Sequence, residues 1–530
     1  MFNGVAFTVF IIFFALVTVL GFVAARWRRG NLDLISEWGL AGRRFGTVVT
    51  WFLLGGDLYT AYTFIAVPAA MFGLGALNGW FAVPYTILVY PIIFVLMPKF
   101  WSVCKQRGYV TAADFVKDRF GSRTLAFAIA LTGIVATMPY IALQMFGIQV
   151  SLAALGIPLT LSLGGLNIDL PLLIAFIILA AYTYTSGLRA PAMIALVKDL
   201  MIFITLIVIL VVIPSNLGGF GKIFAAVSAK HAASPTTFFE LLSSKQTWAF
   251  MTLALGSALA LFLYPHSLTG VLSSNSKNVV KRNTALLPIY SLMLGLLALT
   301  GFMAIAAHIK PVGSLAPFGA NAAVPALINA QFPSWFAGFA FAAISIGALV
   351  PASVMSIAAA NLFTRNIFKE YISPNASDRA ESSVAKWASL VIKFGAVLFI
   401  IYIPTAQVIN FQLLGGIWIL QTLPAVFLGL YTNWFNRWAL LIGWLVAEVF
   451  GTILFAAAGS KSVYAISLFG INFPATYTAF SMIIANLLLA IILTPIFNVI
   501  GLGRGRDVTS ATDYDVEEAL PVEVGREALG

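Results

Sequence analysis

The sequence predicts an all-α integral membrane protein of about thirteen spans, with a core whose key helices are interrupted midway. Three observations carry this. Of 530 residues, 61% are hydrophobic and 9% charged, far from a soluble domain. Apolar runs repeatedly reach ~20 residues, enough to cross ~30 Å of hydrocarbon. One run is broken by Gly55-Gly56-Asp57, between Trp51 and Thr63. Backbone in lipid must be hydrogen-bonded, so a helix breaks there only where it lines a cavity, and a carboxylate at that depth marks a functional site. Together they point to a binding site near the bilayer midplane of a secondary transporter.

Taken in order, spans are expected near 2–25, 46–73, 79–103, 124–153, 167–186, 191–214, 248–270, 284–309, 334–363, 387–407, 408–432, 438–458 and 475–500. The first run lacks a basic start and is too long for a signal-peptide core, so it is read as a retained span. In the loop 104–123, Gly108 makes a turn and Thr111 caps a short amphipathic helix. Loops 215–247 and 310–333 are long enough for surface helices or a lid. Spans two to six and seven to eleven form two sets of five, covering 46–214 and 248–432. The first member of each is interrupted, at Gly55-Gly56 and around Gly256 to Pro265. Paired interruptions point to inverted repeats with the site between them. The transmembrane domain is thus 1–500, and the polar tail 501–530, acidic near its end, is expected to be disordered.

The net charge of +11 does not indicate nucleic acid, because the basic residues cluster in loops on alternate sides of the spans. Arg26, Arg28, Arg29, Arg43 and Arg44 share a side with Lys105, Arg107, Lys117, Arg119 and Arg123, with Lys277, Lys281 and Arg282, and with Arg365, Lys369, Arg379 and Lys386. The opposite loops keep little beyond Lys222, Lys230, Lys245, Lys310 and Lys461. The bias predicts an N-terminus outside and a C-terminus in the cytoplasm of a cell inner membrane. With one cysteine, Cys104, no internal disulfide is possible. No zinc-protease, Walker or nucleophile-elbow motif is present, and His231, His266 and His308 are too scattered for zinc. No enzyme, metal centre or prosthetic cofactor is expected.

Leu40-Ala-Gly-Arg-Arg-Phe45, Gly108 to Phe120, Tyr264-Pro-His266 and Phe363 to Tyr371 resemble the sodium:solute symporter family over roughly residues 1–500. Met138 to Gln144 and Tyr184 to Ala190 look closest to its bacterial monocarboxylate permeases, carriers of lactate, pyruvate and alanine. The resemblance implies the LeuT-like fold of two inverted five-helix repeats with flanking helices. It also implies a sodium site built from the carbonyls of Gly55 and Leu58, a carbonyl at Gly347 and two hydroxyls. Those hydroxyl positions fall on Val350 and Pro351, which offer no side-chain oxygen. Sodium needs oxygen ligands, so the site reads as degenerate; a slip of one or two turns would bring in Ser353 or Ser356. The family's acidic residue on the fifth core helix is Ala195 here, and one turn on stands Lys198. Its ammonium could replace a bound metal cation, permanently or while protonated, or it could snorkel roughly 10 Å to water.

Asp57 is read as a proton site, an orienting group for substrate or cation, or a cap on free amides. Tyr59, Thr60, Thr63, Tyr140, Gln144, Ser257, Tyr264, Trp418 and Gln421 are the other substrate-site candidates, each weighed against plain packing. His266 is read as titrating near neutrality or as a bonded structural histidine. Lys393 and Glu448 are expected to reach interfacial water. The function that follows is cation-coupled import of small monocarboxylates, with the proton favoured over sodium as coupling ion. The alternatives are a sodium-coupled carrier of an amino acid, sugar or urea, and a membrane sensor with the same fold. The expected partners are substrate and lipid; oligomeric state is not legible.

Overall fold

The computed structural model describes residues 2–515 apart from 25–29, 58, 159, 164–165, 404–407, 466 and 469–470. Helix α1 (Gly4–Ala24) is followed by the short α2 (Ile35–Leu40) and by α3 (Thr47–Gly56), which stops at the glycine pair. The chain restarts as a widened π turn over Tyr62–Ala66 and continues as α4 (Val67–Gly73). Pro68 stands in the first turn of α4, where a missing N–H costs little. After α5 (Ala76–Trp80), α6 (Ala82–Arg107) runs to Gly108, whose left-handed backbone closes it. Thr111 then caps α7 (Ala112–Phe120) in a capping box with Asp114, as its sequence predicts.

The long α8 (Arg123–Ala154) leads through a hairpin to α9 (Leu170–Ser186), α10 (Arg189–Asn216) and the surface helix α11 (Phe220–Ala233). Next come α12 (Thr247–Leu261) and α13 (Pro265–Leu272), bent by 47° across the second interruption. One span is built from α14 (Lys277–Leu286), α15 (Pro288–Ala298) and α16 (Thr300–Ala306). Then follow α17 (Ala323–Gln331), α18 (Ser334–Phe363), α19 (Asp378–Tyr402), α20 (Ile409–Ile419), α21 (Leu423–Val426), α22 (Arg437–Ala457) and α23 (Thr478–Val499). At the centre α8 and α18 pack together, with α1, α10 and α19 against α18. Alanine, glycine and serine dominate α18 and let backbones approach closely without a large apolar payload.

Four expectations differ. Among the described residues ten helices are long and apolar enough to cross a membrane, eleven with the bent α12–α13 pair, rather than thirteen. The break divides 46–73 into two short pieces, and α9 has only 17 residues. Residues 501–515 are docked rather than disordered. The Val508 amide donates to the Asp118 carbonyl at 3.0 Å, and Asp507 and Asp513 pair with Arg119 (2.6 Å) and Arg107 (2.7 Å). The tail's acidity meets a basic loop, a complementarity that its own composition does not reveal. Lys393 does not reach water: it is 0% exposed and donates to Ser389 O at 3.2 Å, on the stripe of α19 shared with buried Ala385 and Ala396. Glu448 is half-buried and accepts from the Thr132 hydroxyl at 3.2 Å.

Candidate substrate and coupling-ion site

Glycine is needed twice at the break. A methyl on Gly55 would collide with the Tyr290 ring, and one on Gly56 would stand 2.7 Å from Lys198 Nζ. Lys198, projecting from α10 and 0% exposed, donates to the carbonyls of Gly56 (2.6 Å) and Tyr59 (3.3 Å) and pairs with Asp199 Oδ1 at 3.0 Å. Two carbonyls thus accept from the ammonium, and the carboxylate beside it supplies the opposite charge. The Tyr290 hydroxyl donates to Asp199 Oδ2 at 2.7 Å, and the Tyr59 hydroxyl to the Tyr290 carbonyl at 3.4 Å.

The carbonyls that hold the ammonium lie one residue beyond Gly55 and Leu58; Leu58 itself is outside the described residues. Gly347 backs the same place, its missing methyl 3.7 Å from Tyr59 O. Val350 and Pro351 are buried on α18, and the hydroxyls of Ser353 and Ser356 bond to the α18 carbonyls of Leu349 and Ser353. Lys198 does not snorkel to water.

On the other side of the break, Asp57 Oδ2 lies 3.2 Å from His266 Nε2 and 3.4 Å from the Ser267 hydroxyl in the first turn of α13. The rings of Tyr140 and Tyr264 stand 5.5 and 5.3 Å from that of His266. The Tyr264 hydroxyl is spent on the Gln412 carbonyl at 2.9 Å. The restart of the helix is capped from within and from α8. Thr60 Oγ1 accepts from the Tyr62 amide (3.0 Å), Thr63 Oγ1 from the Thr60 amide (3.5 Å), and Gln144 Oε1 from the Ala61 amide (3.0 Å). Gln144 Nε2 and the buried hydroxyl of Ser257 have no protein partner among the described residues, which leaves them free for a ligand.

Two candidates are engaged elsewhere. Trp418 Nε1 donates to Thr452 of α22 at 2.9 Å, and Gln421 Nε2 to Ile417 O and, at 3.4 Å, to Ala479 O of α23. The sequence reading missed Asp199, Tyr290 and Tyr85, the last edge-on to the Tyr62 ring with centroids 6.5 Å apart. Asp199, a charge in an apolar helix, was the visible signal.

A cavity of about 360 Å³ opens at the start of α6, lined by Leu74, Asn78, Phe81, Leu253, Leu413 and Lys461 among others. The end of α6, with the docked tail, lies on the opposite face. Among the described residues no cluster of three His, Cys, Asp or Glu side chains is poised for a metal.

The model of the sodium:solute symporter family matches residues 38–447. A monocarboxylate transport permease protein of Rhizobium johnstonii is 54% identical over 492 residues, 93% of this chain and 96% of that one. The uncharacterized symporter YodF of Bacillus subtilis is 32% identical over 91% of each chain. Among solved structures, a substrate-bound outward-open Na+-coupled sialic acid symporter aligns with a TM-score of 0.69 at 16% identity, covering 94% of this chain and 99% of that one. Its fold is the LeuT-like one. With residues 38–447 matched by the family model and a half-identical relative along nearly its full length, this multi-pass membrane chain belongs to the sodium:solute symporter family.

Proposed function

We propose that the chain imports small monocarboxylates across the cell inner membrane by cation-coupled alternating access, with protons rather than sodium as the coupling ion. The single observation that carries the coupling is the Lys198 ammonium on the carbonyls of Gly56 and Tyr59, a seat at which a bound metal cation would compete with it. Val350 and Pro351, at the positions the family resemblance gives to two sodium-binding hydroxyls, carry no side-chain oxygen, so a sodium ion would lack those ligands. The substrate class is supported by the permease relative and by two buried donors without a protein partner among the described residues, Gln144 Nε2 at the restart after the break and Ser257 Oγ on α12. In this reading the N-terminus is outside, the C-terminus is cytoplasmic, and the repeats 46–214 and 248–432 move against each other. An anion entering alone works against an inside-negative potential at about 2.3 kcal/mol per 100 mV, and a co-transported cation cancels that cost.

Sodium coupling is the second reading, favoured by the family and by the Na+-coupled structural neighbour. Uptake of labelled lactate into proteoliposomes decides between them. An imposed proton gradient without sodium is expected to drive accumulation; stimulation by sodium alone would reject proton coupling.

A further inference from the structure

We propose that the chamber between α6, α14 and the docked tail holds the headgroup of an anionic phospholipid, its phosphodiester on Lys99, Lys277 and Lys281 and its acyl chains on the apolar faces of α6 and α15. The inference goes beyond the transport reading and needs neither its substrate nor its coupling ion. The chamber measures about 550 Å³, within the range of ~300–1,000 Å³ usual for small-ligand sites. Lys277 and Lys281 enter it one turn apart on α14, and Lys99 enters from α6, which packs against α14.

Opposite charge is scarce there. Asp515 is the one carboxylate among the described lining residues, and it pairs with Lys277 at 3.1 Å while its own side chain stays 89% exposed. The tail's other described carboxylates, Asp507 and Asp513, are committed to Arg119 and Arg107. Lys281 has no ion pair among the described residues. Three ammoniums against one carboxylate leave two positive charges unbalanced, which an anion would complement.

The apolar wall selects a lipid over a soluble phosphate. Phe94 and Val95 line the same chamber about one turn before Lys99, and both are exposed. Away from the basic end the exposed apolar surface continues through Ile87 and Leu88 of α6 and, beside them, Ile289 and Leu292 of α15, which packs on α6. Lysines at one end of a lipid-length apolar face match the two ends of a phospholipid. Lys99 Nζ lies 4.1 Å from the centroid of the Tyr431 ring, which is itself exposed, as aromatic residues at headgroup level are. A free phosphate would meet the lysines and leave the apolar wall bare. Asp515 stands on Lys277 where a phosphate oxygen would sit, so the headgroup displaces it.

Native mass spectrometry of the purified full-length protein, titrated in neutral detergent with phosphatidylglycerol or phosphatidylcholine of the same acyl chains, tests this. Phosphatidylglycerol is expected to bind about twenty-five-fold more tightly, roughly fivefold for each unbalanced charge. Lys99→Gln/Lys277→Gln/Lys281→Gln should bring the two lipids to within about twofold, whereas Asp515→Asn should tighten phosphatidylglycerol about fivefold. Arg379→Gln/Lys386→Gln, on α19 and outside the chamber, should keep the wild-type preference. Millimolar glycerol 1-phosphate, the headgroup portion without chains, should not displace the lipid. Equal binding of the two lipids by the wild type overturns the proposal without any variant, and so does a preference that survives in the folded triple variant or is lost in the α19 control. Displacement by glycerol 1-phosphate at the lipid's own concentration would overturn the lipid as occupant and mark a site for soluble phosphates. Should the triple variant not fold, a phosphatidylglycerol affinity unchanged by Asp515→Asn overturns the assignment to this chamber.

Discussion

Lys198 and Asp199 are neighbours in sequence and partners in space, an arrangement that helical geometry does not favour, since residues i and i+1 point to different sides. The length of the lysine side chain overcomes this, curling toward the carbonyls that the break exposes and passing the carboxylate on the way. Lys198→Met is expected to destabilise the protein by about 3–5 kcal/mol, because it strands a buried carboxylate and two carbonyls. Asp199→Asn should cost a comparable amount. The double variant should cost clearly less than the sum, and thermal unfolding in detergent of the four proteins measures the coupling. Lys198 was legible in the sequence as a charge inside an apolar helix. Its pairing was not, because it depends on a third element, the break, being folded against α10.

The break itself was the most legible element: two glycines and a carboxylate within a lipid-length apolar run are hard to reconcile with an unbroken helix facing lipid. What each glycine is for was hidden, since Tyr290 and Lys198 reach them from α15 and α10. Gly55→Ala forces its methyl into a rigid ring and is expected to destabilise by about 1–3 kcal/mol, read as a lowered melting temperature in detergent. Pairing it with Tyr290→Leu, which opens the space, should recover part of the loss. Trp418 and Gln421 mark the opposite limit. A polar or aromatic residue on a core helix can face the cavity or a flanking helix, and the α20 contacts with α22 and α23 decide for the latter. Hydropathy along one strand of sequence cannot distinguish two faces that are both apolar.

For the whole molecule, the docked tail ties distant elements into one face. Asp507 reaches α7, Asp513 the end of α6 and Asp515 the start of α14, through Arg119, Arg107 and Lys277. The Tyr514 ring lies beneath Arg119 and Lys99 and against Phe115. Burial alone would raise the Asp513 carboxyl, but the Ser510 amide and Arg107 outweigh it and hold the group below its ordinary value. A carboxylate lowered on docking favours the docked state above its free value, near pH 4, and that contribution fades as pH falls through the docked value. The tail should therefore stay docked at neutral pH and release only in strong acid. Salt acts sooner, because these partly exposed pairs are screened at a Debye length of about 8 Å in physiological salt and about 3 Å at 1 M. Trypsin cleavage at Arg504 and Arg506 is expected to accelerate several-fold between low salt and 1 M salt at pH 7.5, after correction for the protease's own salt response. The Arg107→Gln/Arg119→Gln variant should be cleaved at the fast rate in either salt. Cleavage indifferent to both changes would mean that the aromatic contact of Tyr514, rather than charge, holds the tail in place.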